Sequence, residues 1–245
     1  MKEPTPVTCR LAIFALPAIL AVAVPPTHAG SVYDAAADFS PTNNPDGVWS
    51  YGSSTTLGSP FMLGNTHGNA FGIDYWVGDY TTTGPSITHN GTQKPVTFSS
   101  VTWDVGQLGF HPGPNGEYAI VRFTTPSTGT YSLDAGFIGL DFVGPTTTDV
   151  HIIINVSSIF DGNVAGFGPG SGPTFSEVLA LHTGDTVDFA VGFGSDQDWG
   201  FDTTGLSATL TAVPEPAGLV QLGLGIFGLF TYGSLRRKSR LSSLI

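Results

Sequence analysis

The chain has 245 residues and a formal net charge of -11 at pH 7, with only 11% of its residues charged. Most basic residues lie near the two ends, so residues 30–213 hold seventeen acidic residues against only Lys94 and Arg122, a net charge near -15. This balance excludes nucleic acid and anionic lipid surfaces as partners of that segment, because phosphate binding needs clustered Lys and Arg side chains.

The first 29 residues have the pattern of a secretory signal peptide. A basic start with Lys2 and Arg10 leads into fourteen apolar residues, 11–24, and small residues precede a cleavage position after about Ala29. A retained membrane helix is the alternative, which the short apolar length and three prolines disfavour. The only cysteine lies in this segment, so residues 30–213 contain no disulfide.

Residues 30–213 show no sustained helical period. Turn-forming residues recur roughly every eight to twelve positions, which is typical of an all-β sandwich. We therefore predict a single all-β domain, a β-sandwich of jelly-roll type, over residues 30–213. Five segments alternate with period two, so one face of each should be buried. The residues predicted to share a buried face are Ala119, Val121 and Phe123; Tyr131, Leu133, Ala135 and Phe137; Val150, Ile152, Ile154 and Val156; Val187, Phe189 and Val191; and Leu206, Ala208 and Leu210.

Glycine, proline and asparagine mark the connections. Asp161-Gly162-Asn163 is predicted to form a hairpin turn. Residues 43–47, 81–85 and 166–173 are predicted loops.

Short pieces of the second half of the chain, residues 111–113, 119–123, 129–131, 148–150 and 184–189, resemble jelly-roll modules of secreted bacterial proteins. They are similar to carbohydrate-binding and galactose-binding-like modules. The resemblance implies a sugar-binding sandwich, although fold by itself does not determine function.

Acidic residues near the two ends of the domain form a candidate calcium site. Asp196, Asp198 and Asp202 lie within seven residues, and Asp34 and Asp38 lie near the start. Calcium binds six to eight oxygen ligands with flexible spacing. In sugar-binding jelly rolls a structural calcium often joins the first and last strands, so the resemblance implies that these five residues bind it. The alternative is a solvated acidic loop in which Asp202 makes a local turn hydrogen bond.

Aromatic side chains are candidates for stacking on sugar rings. The strongest positions are Trp76 and Trp199, because a carboxylate lies beside each of them, Asp74 in the first case. The full set of aromatic candidates is Trp49, Tyr51, Tyr75, Trp76, Tyr80, Trp103 and Trp199. The alternative is that each ring packs in the core or covers a sheet edge.

No catalytic residue is predicted. The sequence contains no H-E-x-x-H or G-x-S-x-G motif and no cysteine nucleophile in the domain. A glycosidase-like pair of carboxylates is defined by its separation in space, so an enzyme remains an alternative at this stage.

The C-terminal end has three features in a fixed order. Pro214-Glu215-Pro216 precedes an uncharged apolar run, 217–235, and a cluster of arginine and lysine follows at 236–240. A helix over this run would be about 28 Å long, close to the thickness of a bilayer core. The positive-inside rule places the basic cluster in the cytoplasm. A buried helix of a soluble domain is the alternative.

This tail, residues 214–240, resembles the PEP-CTERM sorting signal. The resemblance implies a Gram-negative bacterium that makes exopolysaccharide, and an exosortase that recognises Pro214, Glu215 and Pro216 and removes the helix. The protein would be exported, held transiently in the inner membrane, and then released to the cell surface or beyond. The sequence therefore predicts a non-catalytic surface or matrix protein associated with exopolysaccharide. A structural matrix protein without a specific ligand and a polysaccharide-active enzyme are the alternatives.

Overall fold

The computed structural model describes residues 30–78, 84–144 and 146–214. Every regular element in these ranges is a β-strand, as the alternation of apolar and polar residues predicts. In chain order the strands are β1 (Val32–Asp34), β2 (Trp49–Ser54), β3 (Met62–Leu63), β4 (Thr66–Ala70), β5 (Ile73–Val77), β6 (Ser86–His89), β7 (Val96–Phe98), β8 (Val101–Trp103), β9 (Leu108–His111), β10 (Tyr118–Thr124), β11 (Gly129–Gly139), β12 (Asp149–Ile154), β13 (Ser157–Asn163), β14 (Thr174–Leu181), β15 (Thr186–Gly192) and β16 (Thr204–Val213).

Two antiparallel sheets in a sandwich-like arrangement form the body of the protein, which confirms the predicted all-β sandwich. The larger sheet has the order β14-β11-β16-β9-β6-β5-β4, with β1 also paired to β16. The smaller sheet has the order β13-β12-β15-β10-β2-β3. By their mutual contacts, Ala29–Pro214 belong to one compact unit.

Strand β16 has a different set of neighbours on each side. Along one side it pairs with β11 over ten residues, Thr204–Val213. Along the other side β9 pairs with its first three residues and β1 with residues 209–211. The first and last strands of the described chain therefore lie side by side.

The core lies between the inner faces of the two sheets, and the predicted alternation is confirmed in four of the five segments. Strand β10, for example, has the predicted bounds, and Ala119, Val121 and Phe123 are fully buried. Phe189 on β15 and Leu133 on β11 belong to the same core cluster.

The segment 149–156 departs from its prediction at its end. Strand β12 stops at Ile154, and Val156 is 82% exposed in the turn that leads to β13.

Asn155 adopts a φ of 56° in this turn, and its side chain accepts a hydrogen bond from the Thr186 amide. This Asn155 turn, and not Asp161-Gly162-Asn163, joins the hairpin, because residues 161–163 are the last residues of β13.

A two-stranded hairpin, β7–β8, adds a third layer over part of the larger sheet. It lies on the outer face, where Trp103 packs with Ile73 and Leu140 in a second apolar cluster. The outer face of β5 is therefore covered at Ile73.

The predicted signal peptide, residues 1–29, and the predicted membrane helix, 217–235, lie outside the described residues, as do Glu215, Pro216 and residues 81–83 of one predicted loop. Within the described ranges no helix is long and apolar enough to cross a bilayer.

Phe189→Ala tests the position of the core. Phe189 is fully buried between the sheets, so we expect the free energy of unfolding to fall by about 3–5 kcal/mol, measured by urea denaturation. Phe167→Ala is the matched control, because that ring is 52% exposed and its removal should cost about 0.5 kcal/mol. Equal losses in the two variants would contradict this core.

Candidate functional site

The two faces of β5 lead to different parts of the molecule. Trp76 faces the core, where its ring is 5% exposed and its indole N–H donates to the Ser40 carbonyl over 2.7 Å. Its neighbour Tyr75 faces outward, because successive side chains of a strand point to opposite faces. Trp76 is therefore not available to stack on a sugar, and the outward ring at this place is Tyr75.

A groove of about 430 Å³ lies on this outer face, between strands β4–β6 and the β7–β8 hairpin. Its volume is in the range of small-molecule sites, roughly 300–1,000 Å³. The described residues that line it are Thr66, Ala70, Phe71, Ile73, Tyr75, Val77, Gly84, Ser86, Thr88, Phe98 and Trp103. The lining therefore combines aromatic and aliphatic surface with a small number of hydroxyl groups.

Tyr75 lies over Gly68, its cross-strand neighbour on β4. A Cβ atom at Gly68 would come within 2.5 Å of the Tyr75 hydroxyl oxygen, so a larger residue there would displace the ring from its present position. Within the described part of the chain neither the Tyr75 hydroxyl nor the Ser86 hydroxyl has a hydrogen-bond partner. Both hydroxyls are available to a ligand.

Trp103 is held firmly in the groove wall. Its indole N–H donates to Thr88 Oγ1 over 3.0 Å, and that hydroxyl donates onward to the Gly109 carbonyl over 3.1 Å. A Cβ at Gly109 would lie 2.7 Å from the indole nitrogen, so a larger residue there would displace the ring. The wall is therefore built in advance of any ligand.

Two phenylalanines meet at the mouth of the groove. Phe71, from the β4–β5 turn, stacks on Phe98, from the β7–β8 hairpin, with ring centroids 4.1 Å apart and an interplanar angle of 16°. Phe71 is 70% exposed and Phe98 47% exposed. The pair presents apolar surface to solvent beside the groove.

The other predicted sugar-binding residues do not join this groove. Asp74 is half-buried on the same face of β5 as Trp76, and its carboxylate accepts a hydrogen bond from the Asn69 amide over 2.7 Å. Trp199 lies in the loop before β16, with its ring 5.4 Å from that of His111. Of the other aromatic candidates, Trp49 and Tyr51 are in the core and Tyr80 is outside the described residues.

The sequence showed no signal for the groove as a unit. Alternation alone does not tell which face of β5 is inward, because Ile73, Tyr75 and Val77 look as apolar as the Trp76 face. Trp103 reaches the groove only through the packing of the β7–β8 hairpin. An aromatic ring opposite a glycine on a neighbouring strand, as at Tyr75 and Gly68, is the one pattern that could have indicated it.

Asp202 is fully buried at the start of β16, and its environment disfavours charge. Oδ1 accepts hydrogen bonds from the Thr147 amide and hydroxyl, over 2.9 Å and 3.2 Å, whereas Oδ2 has no partner among the described residues. Burial raises the pKa of Asp202 to about 7, an effect that the bonds from Thr147 oppose and the nearby Asp196 and Asp141 carboxylates increase.

The five predicted calcium ligands are not brought together. Asp34 pairs with Thr209, seven residues along the chain from Asp202, which corresponds to roughly 23 Å of extended strand. Asp34 and Asp38 instead cap their own turn, in which Asp34 Oδ1 accepts from the amides of residues 36 and 37. Asp38 also accepts from the Trp49 indole. Asp34 therefore lies beside residues 209–211 of β16, whereas Asp202 precedes the first residue of that strand, so the two acids are not neighbours.

Asp196 remains near Asp202, since the Thr147 hydroxyl oxygen lies 2.7 Å from Asp196 Oδ2 and 3.2 Å from Asp202 Oδ1 and can donate to either carboxylate. Asp198 caps its own loop by accepting from the Gly200 amide. In the described ranges no three His, Cys, Asp or Glu side chains are grouped so that they could hold a metal ion. Calcium stays a prediction.

A polar network that sequence reasoning missed lies on the outer face of the smaller sheet. Both ring nitrogens of His151 contact carboxylates, those of Asp149 and Asp161. Burial alone would lower the pKa of His151, but these two carboxylates raise it. Burial alone would raise the pKa of Asp149, but hydrogen bonds from His151, Tyr118 and the Gly194 amide lower it to about 2. The network joins β10, β12 and β13, so it stabilises one edge of the sheet.

No protein-family model matches the chain. No curated protein matches it either.

Several solved structures resemble the chain at low scores. A family 35 carbohydrate-binding module from Clostridium thermocellum has a TM-score of 0.30 and 18% identity, covering 49% of this chain and 87% of the module. A family 51 module from Clostridium perfringens GH95, in complex with methyl-galactose, has a TM-score of 0.33 and 12% identity, covering 61% and 95%. A family 35 module from Paenibacillus barcinonensis has a TM-score of 0.29 and 15% identity, covering 61% and 100%. Likeness at these scores carries no conclusion about this chain.

Asp202→Asn should change how stability depends on pH. The folded protein keeps the Asp202 proton up to a pKa of about 7, whereas the unfolded chain loses it near the ordinary value of 3.8. Stability should therefore fall as pH rises from about 4 to 7, and this fall should be absent in the variant. At pH 8 the variant should be more stable by about 1–3 kcal/mol, measured by urea denaturation.

Asp104→Asn is the control for Asp202→Asn, because Asp104 is exposed and is not among the groups that act on the pKa of Asp202, so its replacement should leave the pH dependence nearly unchanged. The same pH dependence in the wild type and in Asp202→Asn would contradict the assignment of the buried proton.

Proposed function

We propose that this chain is an exported, non-catalytic surface or matrix protein that binds exopolysaccharide in the groove between Tyr75 and Trp103. The observation that carries the proposal is the groove itself, a preformed site of about 430 Å³ with aromatic rings and unpaired hydroxyls. We also propose that the sandwich is of jelly-roll type.

The lining suits the chemistry of a sugar ring. A pyranose presents C–H groups on its faces and hydroxyls around its edge, so it needs an apolar surface with hydrogen-bonding groups beside it. Tyr75 offers the apolar surface, supported from behind by the buried Trp103 ring, and among the described residues the hydroxyls of Tyr75 and Ser86 offer unpaired donors and acceptors. A small number of polar groups in a largely apolar pocket is the usual basis of specificity.

Binding is favoured over hydrolysis by the same lining. Glycoside hydrolysis uses two carboxyl groups on either side of the bond that is cleaved. The described residues that line the groove include no carboxyl or imidazole group. A structural matrix role without a ligand is the second alternative, and saturable binding of a glycan distinguishes the two.

Processing and location belong to the same proposal. Signal peptide 1–29 would direct export, and helix 217–235 would hold the protein in the inner membrane. Exosortase would then recognise Pro214, Glu215 and Pro216, after which the protein reaches the cell surface or the medium. Pro214 is the one described residue of the motif, and it is exposed directly after β16.

A calcium ion near Asp202, with Asp196 and Asp198 close in sequence, is also proposed. The buried Oδ2 atom of Asp202 supports it, because a cation would satisfy an oxygen that otherwise has no partner in the described chain. Thermal unfolding with calcium or chelator at pH 8 tests it, with Asp202→Asn as the variant that should not respond.

Tyr75→Ala tests the groove. Removal of the ring should weaken glycan binding at least about tenfold, which corresponds to about 1.4 kcal/mol. The measurement is calorimetric titration of the full-length protein with xylan, galactomannan and β-1,3-glucan, together with polysaccharide from the host. Tyr75→Phe keeps the ring and removes one hydroxyl, so its loss should be smaller.

Trp199→Ala is the matched aromatic control and should bind like the wild type, because Trp199 lies outside the groove. Loss of binding in Trp199→Ala with normal binding in Tyr75→Ala would move the site to the loop before β16. Release of reducing sugar would favour the enzyme alternative.

Glu215→Ala tests the sorting signal. Because exosortase would no longer recognise the motif, the variant should stay in the membrane fraction, measured by fractionation of host cells and blotting. Glu177→Ala is the matched control, since Glu177 is an exposed glutamate of β14 and its loss should leave release normal. Normal release of Glu215→Ala would contradict sorting by this motif.

A further inference from the structure

Phe71 occupies a backbone conformation that disfavours its side chain. Strands β4 and β5 are joined by the two-residue turn Phe71-Gly72, in which Ala70 pairs with Ile73. The two turn residues have φ values of 57° and 91°. Turns with two positive φ values strongly prefer Asn-Gly or Asp-Gly, and a bulky residue in the first position is strained.

The strain is not offset by burial of the ring. Phe71 is 70% exposed, and its packing is limited to one side, where it stacks on Phe98. Strained residues are enriched at functional sites, and among the exposed aromatic residues with positive φ in the described chain Phe71 is the one that lines the groove. Its position beside the groove indicates the function that it serves.

The charges around the groove restrict the class of ligand. None of the described lining residues is charged. Arg122 lies on the other sheet, with its guanidinium bound to both oxygens of Asp188, and Lys94 is exposed on a loop. With a net charge near -15 over residues 30–213, the protein repels an anionic glycan and has no cation in the groove to attract it.

Building on the proposed function, we propose that the site binds consecutive sugars of an uncharged polysaccharide, one in the Tyr75 groove and a further one on the Phe71–Phe98 pair at its mouth. Two adjoining positions on one chain add their contributions to affinity, so the polymer binds more tightly than a single sugar unit. Phe71 and Phe98 therefore determine selectivity for the polymer.

Phe71→Asn separates this role from a purely structural one. Asn-Gly suits the turn, so the variant should unfold at the same or a higher temperature than the wild type. The full-length variant is titrated with the tightest binder among xylan, galactomannan and β-1,3-glucan, and with the main monosaccharide of that polymer, which can occupy only one of the two positions. Affinity for the polymer should fall about tenfold, whereas affinity for the monosaccharide should stay within about twofold.

Phe201→Asn is the matched control. Phe201 is also exposed at positive φ, 66°, but does not line the groove, so its replacement should leave both affinities unchanged. Alginate is the anionic probe, and the wild type should bind it at least tenfold more weakly than the uncharged polymer.

Three results would overturn the inference while leaving the proposed function intact. These are unchanged polymer affinity in Phe71→Asn, equal loss of affinity for the polymer and the monosaccharide with a lowered unfolding temperature, and tighter binding of alginate than of the uncharged polymers. If the wild type binds no glycan at all, the proposed function itself fails, and the inference fails with it.

Discussion

The fold depends on one constraint, the burial of alternate side chains from two antiparallel sheets in a shared core. Once Phe123, Leu133 and Phe189 face inward, the direction of every neighbouring side chain is determined. The same constraint governs β5, where the inward direction of Trp76 leaves Tyr75 on the outer surface. The proposed binding surface is therefore a direct consequence of how the core is packed.

The outer face of the larger sheet becomes a groove only because a third layer covers part of it. The β7–β8 hairpin places Trp103 against Ile73 and Leu140, and the hydrogen bond from Trp103 to Thr88 fixes the position of the Trp103 ring beside the sheet. Rigid rings on a packed scaffold lose little freedom on binding, so the affinity of such a site depends on its shape before the ligand arrives. The strained backbone of Phe71 lies at the mouth of the groove.

Sequence reasoning predicted what local pattern controls and missed what distant packing controls. Alternation predicted β10, β11, β15 and β16 with their inward residues, because one face of each strand is buried and the other is not. It failed at Val156, where Asn155 starts a turn within an apolar run. The resemblance to sugar-binding jelly rolls placed Asp34 beside Asp202, and this was wrong because the order of strands does not reveal the register in which they pair. The groove was not predicted, because both of its sides are apolar and they meet only in the folded protein.

The pairing of β16 has a mechanical consequence. If a bound polysaccharide pulls on the groove while the chain is held at Pro214, tension within the larger sheet passes from β5 and β6 through β9 into β16. Strands β9 and β16 are joined by only three residue pairs, whereas β16 and β11 are joined by ten. The pairing of residues 108–110 with residues 204–206 is thus the shortest in the hydrogen-bonded path between the groove and the end of the domain, and it is where we expect the sheet to part under load.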